Sequence, residues 1–460
     1  MRPAQALGEE SEIMDVETPS PRDAEAPWYQ ALDRKQWNTL IASNLGWLFD
    51  GFENYALILT VAPALYQLLP QTEQAQLPFY IGAVLAINLL GWAVGGLLGG
   101  ILADYVGRKR MMMYAIIGYS IATGLSAFAF SWWSFAALRF IVGVTVGSEW
   151  ATGSSMMAEL WPDRARGKGA GLMQCGLGFG FFLASLVWLF IAPLGTDAWR
   201  YMYVLGVLPA LVTLWIRRAI PESELWKAAM ARRAEAKARA SDGDILTNEE
   251  EQLTRFTLVD LFTDRVARRL TMLALLMSLA TTVGFWSIST WVPQFVGSLA
   301  TAEGRQAARW ASFAGMAYTA GSITGYIAFG FLADAFGRKP VTFFYFTIAL
   351  VMTPVLFFAT KDLGWLLVLA FFNAIFSNGQ YTWMPVWLPE LFPTRMRGTA
   401  LAVIFNLPRF LAFAGPLLAG TLIVTFGGFE WAAMALSSVY LVGMIVTPFL
   451  PETLGKRLPL

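Results

Sequence analysis

The sequence repeats itself. Gly100-Ile-Leu-Ala-Asp104-Tyr-Val-Gly107-Arg108-Lys109 returns as Gly330-Phe-Leu-Ala-Asp334-Ala-Phe-Gly337-Arg338-Lys339, an offset of 230 residues. Glu159-Leu-Trp-Pro-Asp-Arg164-Ala-Arg166-Gly167 returns as Glu390-Leu-Phe-Pro-Thr-Arg395-Met-Arg397-Gly398, an offset of 231. Ile220-Pro221-Glu222-Ser223 returns as Leu450-Pro451-Glu452-Thr453, again at 230. Three motifs in the same order imply two homologous halves in one chain. The stretches between them are apolar, so each half is expected to be a membrane unit. Hydrophobic residues make up 56% of the chain and charged residues 14%, far less charge than a soluble domain of this length carries.

A spanning helix needs roughly 20 apolar residues. Segments of that kind fall near 38–65, 79–101, 111–130, 135–158, 169–193 and 199–217, then near 270–296, 309–332, 341–360, 364–388, 399–425 and 430–450. The expected organisation is therefore a tail (1–37), six spans (38–217), a linker (218–269), six more spans (270–450) and a short end (451–460). The first 36 residues are polar and hold Pro19, Pro21 and Pro27; they read as a cytoplasmic tail without a cleavable signal peptide. Arg232, Arg233, Glu235, Lys237 and Arg239 give the linker a solvated, helical character, and its charges are also suited to anionic lipid.

Lysine and arginine set the orientation. With the N-terminus inside, the outer loops hold only Arg200, Arg305, Arg309 and Lys361, and Arg139 and Arg409 lie within spans. The other basic residues fall inside, so both termini are expected on the cytoplasmic face. The net charge of +1 suggests no nucleic-acid partner, and the chain has no histidine. Proton chemistry must then use carboxylates. Cys175 stands alone in an apolar run and reads as a packing residue.

In the repeated loops, Gly100 and Gly330 permit close helix approach. Asp104 and Asp334 are placed to cap a following turn or to pair with a base across the bundle. Arg108, Lys109, Arg338 and Lys339 are expected at the cytoplasmic headgroups. Glu159 with Arg166, and Glu390 with Arg397, are the expected partners of a charge latch that holds one access state. The alternative is that these loops, with Gly107 and Gly337, serve topology alone.

The Gly-x-Leu-Ala-Asp-x-x-Gly-Arg-Lys loop resembles the signature of the major facilitator superfamily. Pro221-Glu222-Ser223, Pro389-Glu390-Leu-Phe-Pro-Thr-Arg395-x-Arg397-Gly398 and Pro451-Glu452-Thr453 resemble its branch of sugar porters, metabolite–proton symporters and organic-ion transporters. The resemblance covers about residues 38–455. It implies an all-α membrane protein of twelve helices in two six-helix bundles, with a central site and alternating access. Trp47-Leu-Phe-Asp50-Gly-Phe-Glu53 resembles the first helix of carboxylate–proton symporters, both the aromatic-acid and the sialate/lactate groups. Arg139-Phe-Ile-Val-Gly143-x-x-x-Gly147-Ser-Glu149-Trp150 resembles the fourth helix of metabolite–proton symporters. The exit of the sixth helix, through Pro221-Glu222-Ser-Glu224-Leu225-Trp226, is similar to the sialate/lactate group and departs from the sugar-porter Pro-Glu-Ser-Pro-Arg-Trp.

Each ionisable residue inside the bilayer costs roughly 2.5–3.5 kcal/mol on insertion scales, so the few present are site candidates. Asp50 is the expected proton carrier and Arg139 its partner, a pairing the resemblance also implies; a static buried ion pair is the competing reading. Glu149 is the rival carrier. It follows Arg139 by ten residues, roughly 15 Å along a helix, so one side chain does not easily serve both levels. Glu53, one turn beyond Asp50, is a lesser candidate near the outer vestibule. Arg409 shares a helix face with Asn406, and Pro416 follows. In organic-anion members of the branch a base at this spacing is implied to meet the substrate, and a guanidinium fork suits a carboxylate; the alternative is a structural arginine between helices. Gln174, Trp286, Trp291, Asn378, Gln380 and Tyr381 complete the expected substrate contacts, with Asn44 and Trp47 beside them.

These expectations describe a membrane transporter and not an enzyme: a proton-coupled symporter of a small organic anion, probed against a sugar or polyol symporter, an organic-ion or drug antiporter and a flux-less sensor. The expected partners are a small-molecule substrate, protons and lipid, with no metal and no cofactor beyond the proton as coupling ion. The expected unit is a monomer in a cell membrane, the inner membrane if bacterial.

Overall fold

The computed structural model describes residues 27–30, 32–412 and 425–459. The tail through residue 26, and residues 413–424 of the eleventh span with Pro416, lie outside the described residues, as do the side chains of Ser287 and Thr290.

All regular structure among the described residues is helical. The first three spans are α1 (Arg34–Leu68), α2 (Leu77–Val106) and α3 (Arg108–Ser126). The fourth, fifth and sixth are each broken: α4 (Trp132–Gly147) with α5 (Glu149–Leu160), α6 (Arg166–Gln174) with α7 (Gly176–Ile191), and α8 (Ala198–Leu205) with α9 (Pro209–Ala219). Three linker helices follow, α10 (Glu224–Ser241), α11 (Asn248–Thr254) and α12 (Thr257–Thr263). The seventh, eighth and ninth spans are α13 (Arg265–Ala302), α14 (Ala307–Phe336) and α15 (Arg338–Phe358). The tenth joins α16 (Leu363–Ser377) to α17 (Trp383–Leu391) through a 3₁₀ turn at Gly379–Thr382. The eleventh begins with α18 (Arg397–Asn406) and α19 (Arg409–Ala412), and the twelfth is α20 (Phe429–Ser437) with α21 (Val439–Val446).

Local chemistry sets the helix starts. Asp33 and Gln36 form a reciprocal capping box on α1. Ser131 and Ser134 do the same on α4, and Asp264 caps α13 through the N–H groups of Val266 and Ala267. Three of the mid-span breaks fall beside polar residues, at Ser148 before Glu149, at Cys175 after Gln174 and at the turn holding Gln380. Among the described residues six helical stretches are long and apolar enough to cross a membrane by length and composition alone. The other spans are interrupted, or diluted by groups such as Asp50 and Glu53 on α1.

Within the first six spans α2 packs along α4 and α1 along α7; in the later six, α14 packs along α16 and α13 along α21. The two sets meet where α2 lies against α18 and α6 against α14. Large apolar side chains, including Leu189, Phe190, Leu411 and Ile445, point away from the bundle as a lipid-facing surface does. The linker is less solvated than its charges suggest. Arg233 is buried against the Tyr105 ring and donates to the Tyr105 hydroxyl and the Arg255 carbonyl.

Candidate functional site

The repeated loops gather at one end of the bundle and bind the two sets of spans together. Gly107 and Gly337 adopt φ of 108° and 101°, a region glycine tolerates, and so start α3 and α15 directly after α2 and α14. Glu222 accepts from the N–H groups of Arg108 and Lys109 at 3.0 and 3.2 Å. Glu452 accepts from those of Arg338 and Lys339 at 3.1 and 3.0 Å. The Pro-Glu-Ser and Pro-Glu-Thr motifs are thus helix caps, a role the sequence reading missed. Burial pushes the Glu452 carboxyl up, but the N–H groups of Lys339, Leu454, Arg338 and Thr453 outweigh it and hold the group below the usual glutamate range.

Each motif aspartate caps a helix of the opposite set. Asp104 accepts from the N–H groups of Gly398 and Thr399 at 3.1 and 2.8 Å, at the start of α18. Asp334 accepts from those of Gly167 and Lys168 at 3.0 and 2.9 Å, at the start of α6. Two expectations are corrected here. Glu159 pairs with Arg397 at 2.7 Å and Arg108 at 3.3 Å, not with Arg166. Glu390 pairs with Arg338 at 2.8 Å and Arg166 at 3.1 Å, not with Arg397. Arg108 and Arg338 are buried at 0% and 1% exposure, so they belong to this network and not to the headgroup layer. The pairs cross the seam because Arg166 and Arg397 stand at the starts of α6 and α18, the helices that face the other set.

Deeper in the bundle, Arg139 pairs with Glu53 at 3.4 Å, not with Asp50. It also donates to Ser126 Oγ at 2.5 Å and lies over the Tyr203 ring. Glu53 further accepts from Thr123 at 2.9 Å and is buried, not vestibular. Asp50 instead neighbours Glu149, and the oxygens of both carboxyls are buried without a hydrogen-bond partner. No cation and no other donor reaches these four oxygens among the described residues. Arg139 and Glu149 thus occupy two levels of the fourth span, and α1 supplies a carboxyl to each.

Beside these carboxyls lies a small cavity between the two sets of spans. Trp47, Trp92, Phe181, Phe285, Trp286 and Tyr381 supply rings to it; Leu177, Asn54 and Arg409 complete the lining. Both sets of spans contribute, through α1, α2 and α7 on one side and α13, the 3₁₀ turn and α19 on the other. Arg409 is 2% exposed and no carboxylate pairs with it among the described residues. It donates to Tyr381 Oη at 2.9 Å and to the Phe405 carbonyl. Its guanidinium lies between the Phe405 and Trp92 rings, 3.8 and 4.9 Å from their centroids. Trp150 stacks on Phe405 at 3.6 Å and 7°, joining the two sets on the motif side of the cavity. A second small cavity, lined by Glu53, Asn88, Val142 and others, shares Asn54 and Trp92 with the first.

Of the expected substrate contacts, Arg409, Tyr381 and Trp286 line the cavity. Asn406 sits just behind, with Oδ1 3.4 Å from Arg409 Nη1. Gln174 accepts from Trp150 Nε1 at 3.3 Å, below the stack. Three residues lie elsewhere. Trp291 packs on Phe429 in an apolar cluster, Asn378 bonds Tyr318 and Ser322, and Gln380 bonds Thr281 and the Ser377 carbonyl. Their polar groups are spent on holding α13, α14 and the tenth span together. Trp92, Phe405 and Asn54 were not expected; a lone indole in the glycine-rich middle of the second span, between Gly91 and Gly95, was the signal for Trp92.

A family profile described as "Sugar (and other) transporter" matches residues 41–459. The sialic acid transporter NanX of Escherichia coli is 29% identical over 395 residues, covering 85% of this chain and 88% of that protein. The cis,cis-muconate transport protein of Acinetobacter baylyi is 26% identical over 372 residues, covering 81% and 85%. The proton:xylose symporter XylE bound to 6-bromo-6-deoxy-D-glucose has the same fold, with a TM-score of 0.75 at 22% identity over 92% of this chain and 98% of that one.

Proposed function

The chain belongs to the sugar (and other) transporter family of the major facilitator superfamily, and from that premise we propose that it carries a small organic anion, a carboxylate, together with a proton. It is a multi-pass membrane transporter, not an enzyme. One observation carries the anion reading: Arg409 is buried in the central cavity, and among the described residues no carboxylate neutralises it. A buried guanidinium without a counter-charge is costly, and a substrate carboxylate would offset that cost on binding. The names of two relatives, for sialic acid and for muconate, agree with an acid substrate.

The proton would be carried by the neighbouring carboxyls of Asp50 and Glu149, which are buried with no cation or donor from the described residues. Arg139 would serve as the fixed partner of Glu53, which borders the second cavity and so stands close to the substrate site. The motif end is the cytoplasmic face on the distribution of lysine and arginine. The ion pairs and helix caps there then hold a cytoplasm-closed state, and each access cycle must break them. Indole and phenol rings can stack on a sugar as well as on an acid, so the sugar or polyol alternative is disfavoured only by the few polar groups of the lining, Asn54, Tyr381 and Arg409 among them. The working unit is one chain, since each holds a complete pathway, and in a bacterium its place is the inner membrane with both termini inside.

The test is uptake of labelled acids into proteoliposomes with and without an inward acid gradient. Gradient-driven accumulation of an acid, lost in Arg409→Gln, is the expected result. Uptake of a hexose that survives Arg409→Gln would replace this reading with the sugar one.

A further inference from the structure

Phe405 follows Arg397 by eight residues on α18, and Trp150 precedes Glu159 by nine on α5. At 1.5 Å per residue, each interval spans about 12–14 Å of helix. The two helices pack against each other, and two rungs join them: Glu159–Arg397 at the motif end and the Trp150–Phe405 stack near the cavity. The first rung belongs to the repeated motifs. The second does not, and it touches Arg409. Resting on the anion reading above, we infer that the Trp150–Phe405 stack is an inner closure of the pathway toward the cytoplasm, and that Arg409 makes this closure respond to the charge of the substrate.

The position fits a closure. Trp150 and Phe405 are buried, at 2% and 0% exposure. One ring comes from each set of spans, and their centroids lie 3.6 Å apart. Trp47, which borders the cavity, packs on Trp150 at 6.4 Å and on Phe405 at 6.2 Å. Gln174, the last residue of α6, holds Trp150 Nε1. A solute leaving the cavity toward the motif end must part α5 from α18, and that separates the two rings.

The link to charge lies in how Phe405 is held. The Arg409 guanidinium lies over its ring, 3.8 Å from the centroid. Two groups as close to one centroid as Trp150 and Arg409 cannot share a face, so the ring is held between an indole on one side and a cation on the other. Arg409 also donates to the Phe405 carbonyl. Pro408, which has no N–H, stands in the gap between α18 and α19, so ring and guanidinium belong to separate helical pieces. With no carboxylate paired to it among the described residues, the guanidinium directs its charge at the ring. A substrate carboxylate attracts a guanidinium more strongly than a ring face does, and would draw it off Phe405. The ring would then keep one partner instead of two, and the closure would loosen as the anion binds.

The test reads cytoplasmic access to the cavity without any substrate. In a Cys175→Ser background, Leu177→Cys puts a single thiol in the cavity lining. Maleimide labelling of inside-out vesicles then measures how often the cytoplasmic route opens. Arg409→Gln and Phe405→Leu should each raise the labelling rate by about fivefold, the scale of a cation–π contact. Trp150→Leu should also raise it, while Trp150→Phe, which keeps a ring, should stay near the parent. Because Arg409 acts through Phe405, Arg409→Gln combined with Phe405→Leu should label no faster than either alone. Glu159→Gln, at the other rung, should add to each. Parent-like labelling in Phe405→Leu and Trp150→Leu overturns the closure. Parent-like labelling in Arg409→Gln, or full additivity of Arg409→Gln with Phe405→Leu, overturns the link to substrate charge. Should the leucine variants fail to fold, Arg409→Gln against the parent decides alone. The anion reading falls separately, if acid uptake survives Arg409→Gln, whatever the labelling shows.

Discussion

Arg397 donates to Glu159 at 2.7 Å across the seam between the two sets of spans, though 238 residues separate them in sequence. The reciprocal pair, Arg166 to Glu390, closes at 3.1 Å. Removing one member of a buried pair costs about 3–5 kcal/mol in the state that contains it. Glu159→Gln should therefore shift the resting population toward the cytoplasm-open form. With Cys175 replaced by serine and Ala402 by cysteine, maleimide labelling from the cytoplasmic side should rise several-fold. Unchanged labelling would count against the latch.

The same seam needs small residues. A Cβ at Gly100 would press on the Gly398 carbonyl at 2.7 Å, and one at Gly330 would meet Gly171 Cα at 3.0 Å. Backbone cannot swing aside as a side chain can. Gly100→Ala and Gly330→Ala should each favour the cytoplasm-open form in the same labelling assay, with the order of substrate preference unchanged.

Asp50 and Glu53 stand one turn apart on α1 and should fail differently. Glu53→Gln leaves Arg139 buried without its counter-charge and should lower stability by about 3–5 kcal/mol, read as an earlier melting transition in detergent. Asp50 has no cation to strand. Asp50→Asn should melt no earlier than the parent, lose uphill accumulation, and still exchange substrate between preloaded vesicles. Loss of stability in Asp50→Asn would assign that residue a structural role.

At Arg409 the charge and the fork both matter. Arg409→Gln should abolish acid uptake, and Arg409→Lys should not restore it, because an ammonium cannot reach Tyr381, the Phe405 carbonyl and a substrate together. Tyr381→Phe removes one hydrogen bond that orients the guanidinium and should weaken half-saturation by about tenfold at most. Wild-type uptake in Arg409→Lys would show that charge alone suffices.

The Glu452 cap ties stability to acid pH. Its carboxyl is held below the usual range in the folded chain, so its contribution is complete above the ordinary glutamate value and fades as pH falls through the lowered one. Glu452→Gln should be less stable than the parent at neutral pH, and the gap should close as the pH drops below about 4. A gap that stays constant into acid would remove this cap from the account.

What the sequence determined by itself was the division into repeated halves, the helical spans and the residues of the motif end. Hydrophobic length and local capping are short-range properties, and a motif that returns at a fixed offset carries its own evidence. Asp50, Glu149, Arg139 and Arg409 also stood out from sequence, because a charge in an apolar run is conspicuous. Their partners did not. Periodicity gives the face and the depth of a residue on its own helix, but a pair across helices depends on the rotation and crossing of both. The tertiary structure alone assigned Glu53 to Arg139 and Asp50 to Glu149, crossed the gate pairs between halves, and turned Asn378, Gln380 and Trp291 from substrate contacts into scaffold. It alone placed Trp92 and Phe405 on either side of Arg409, since an aromatic residue in a membrane helix looks the same in sequence whether it meets lipid, a neighbour or a ligand.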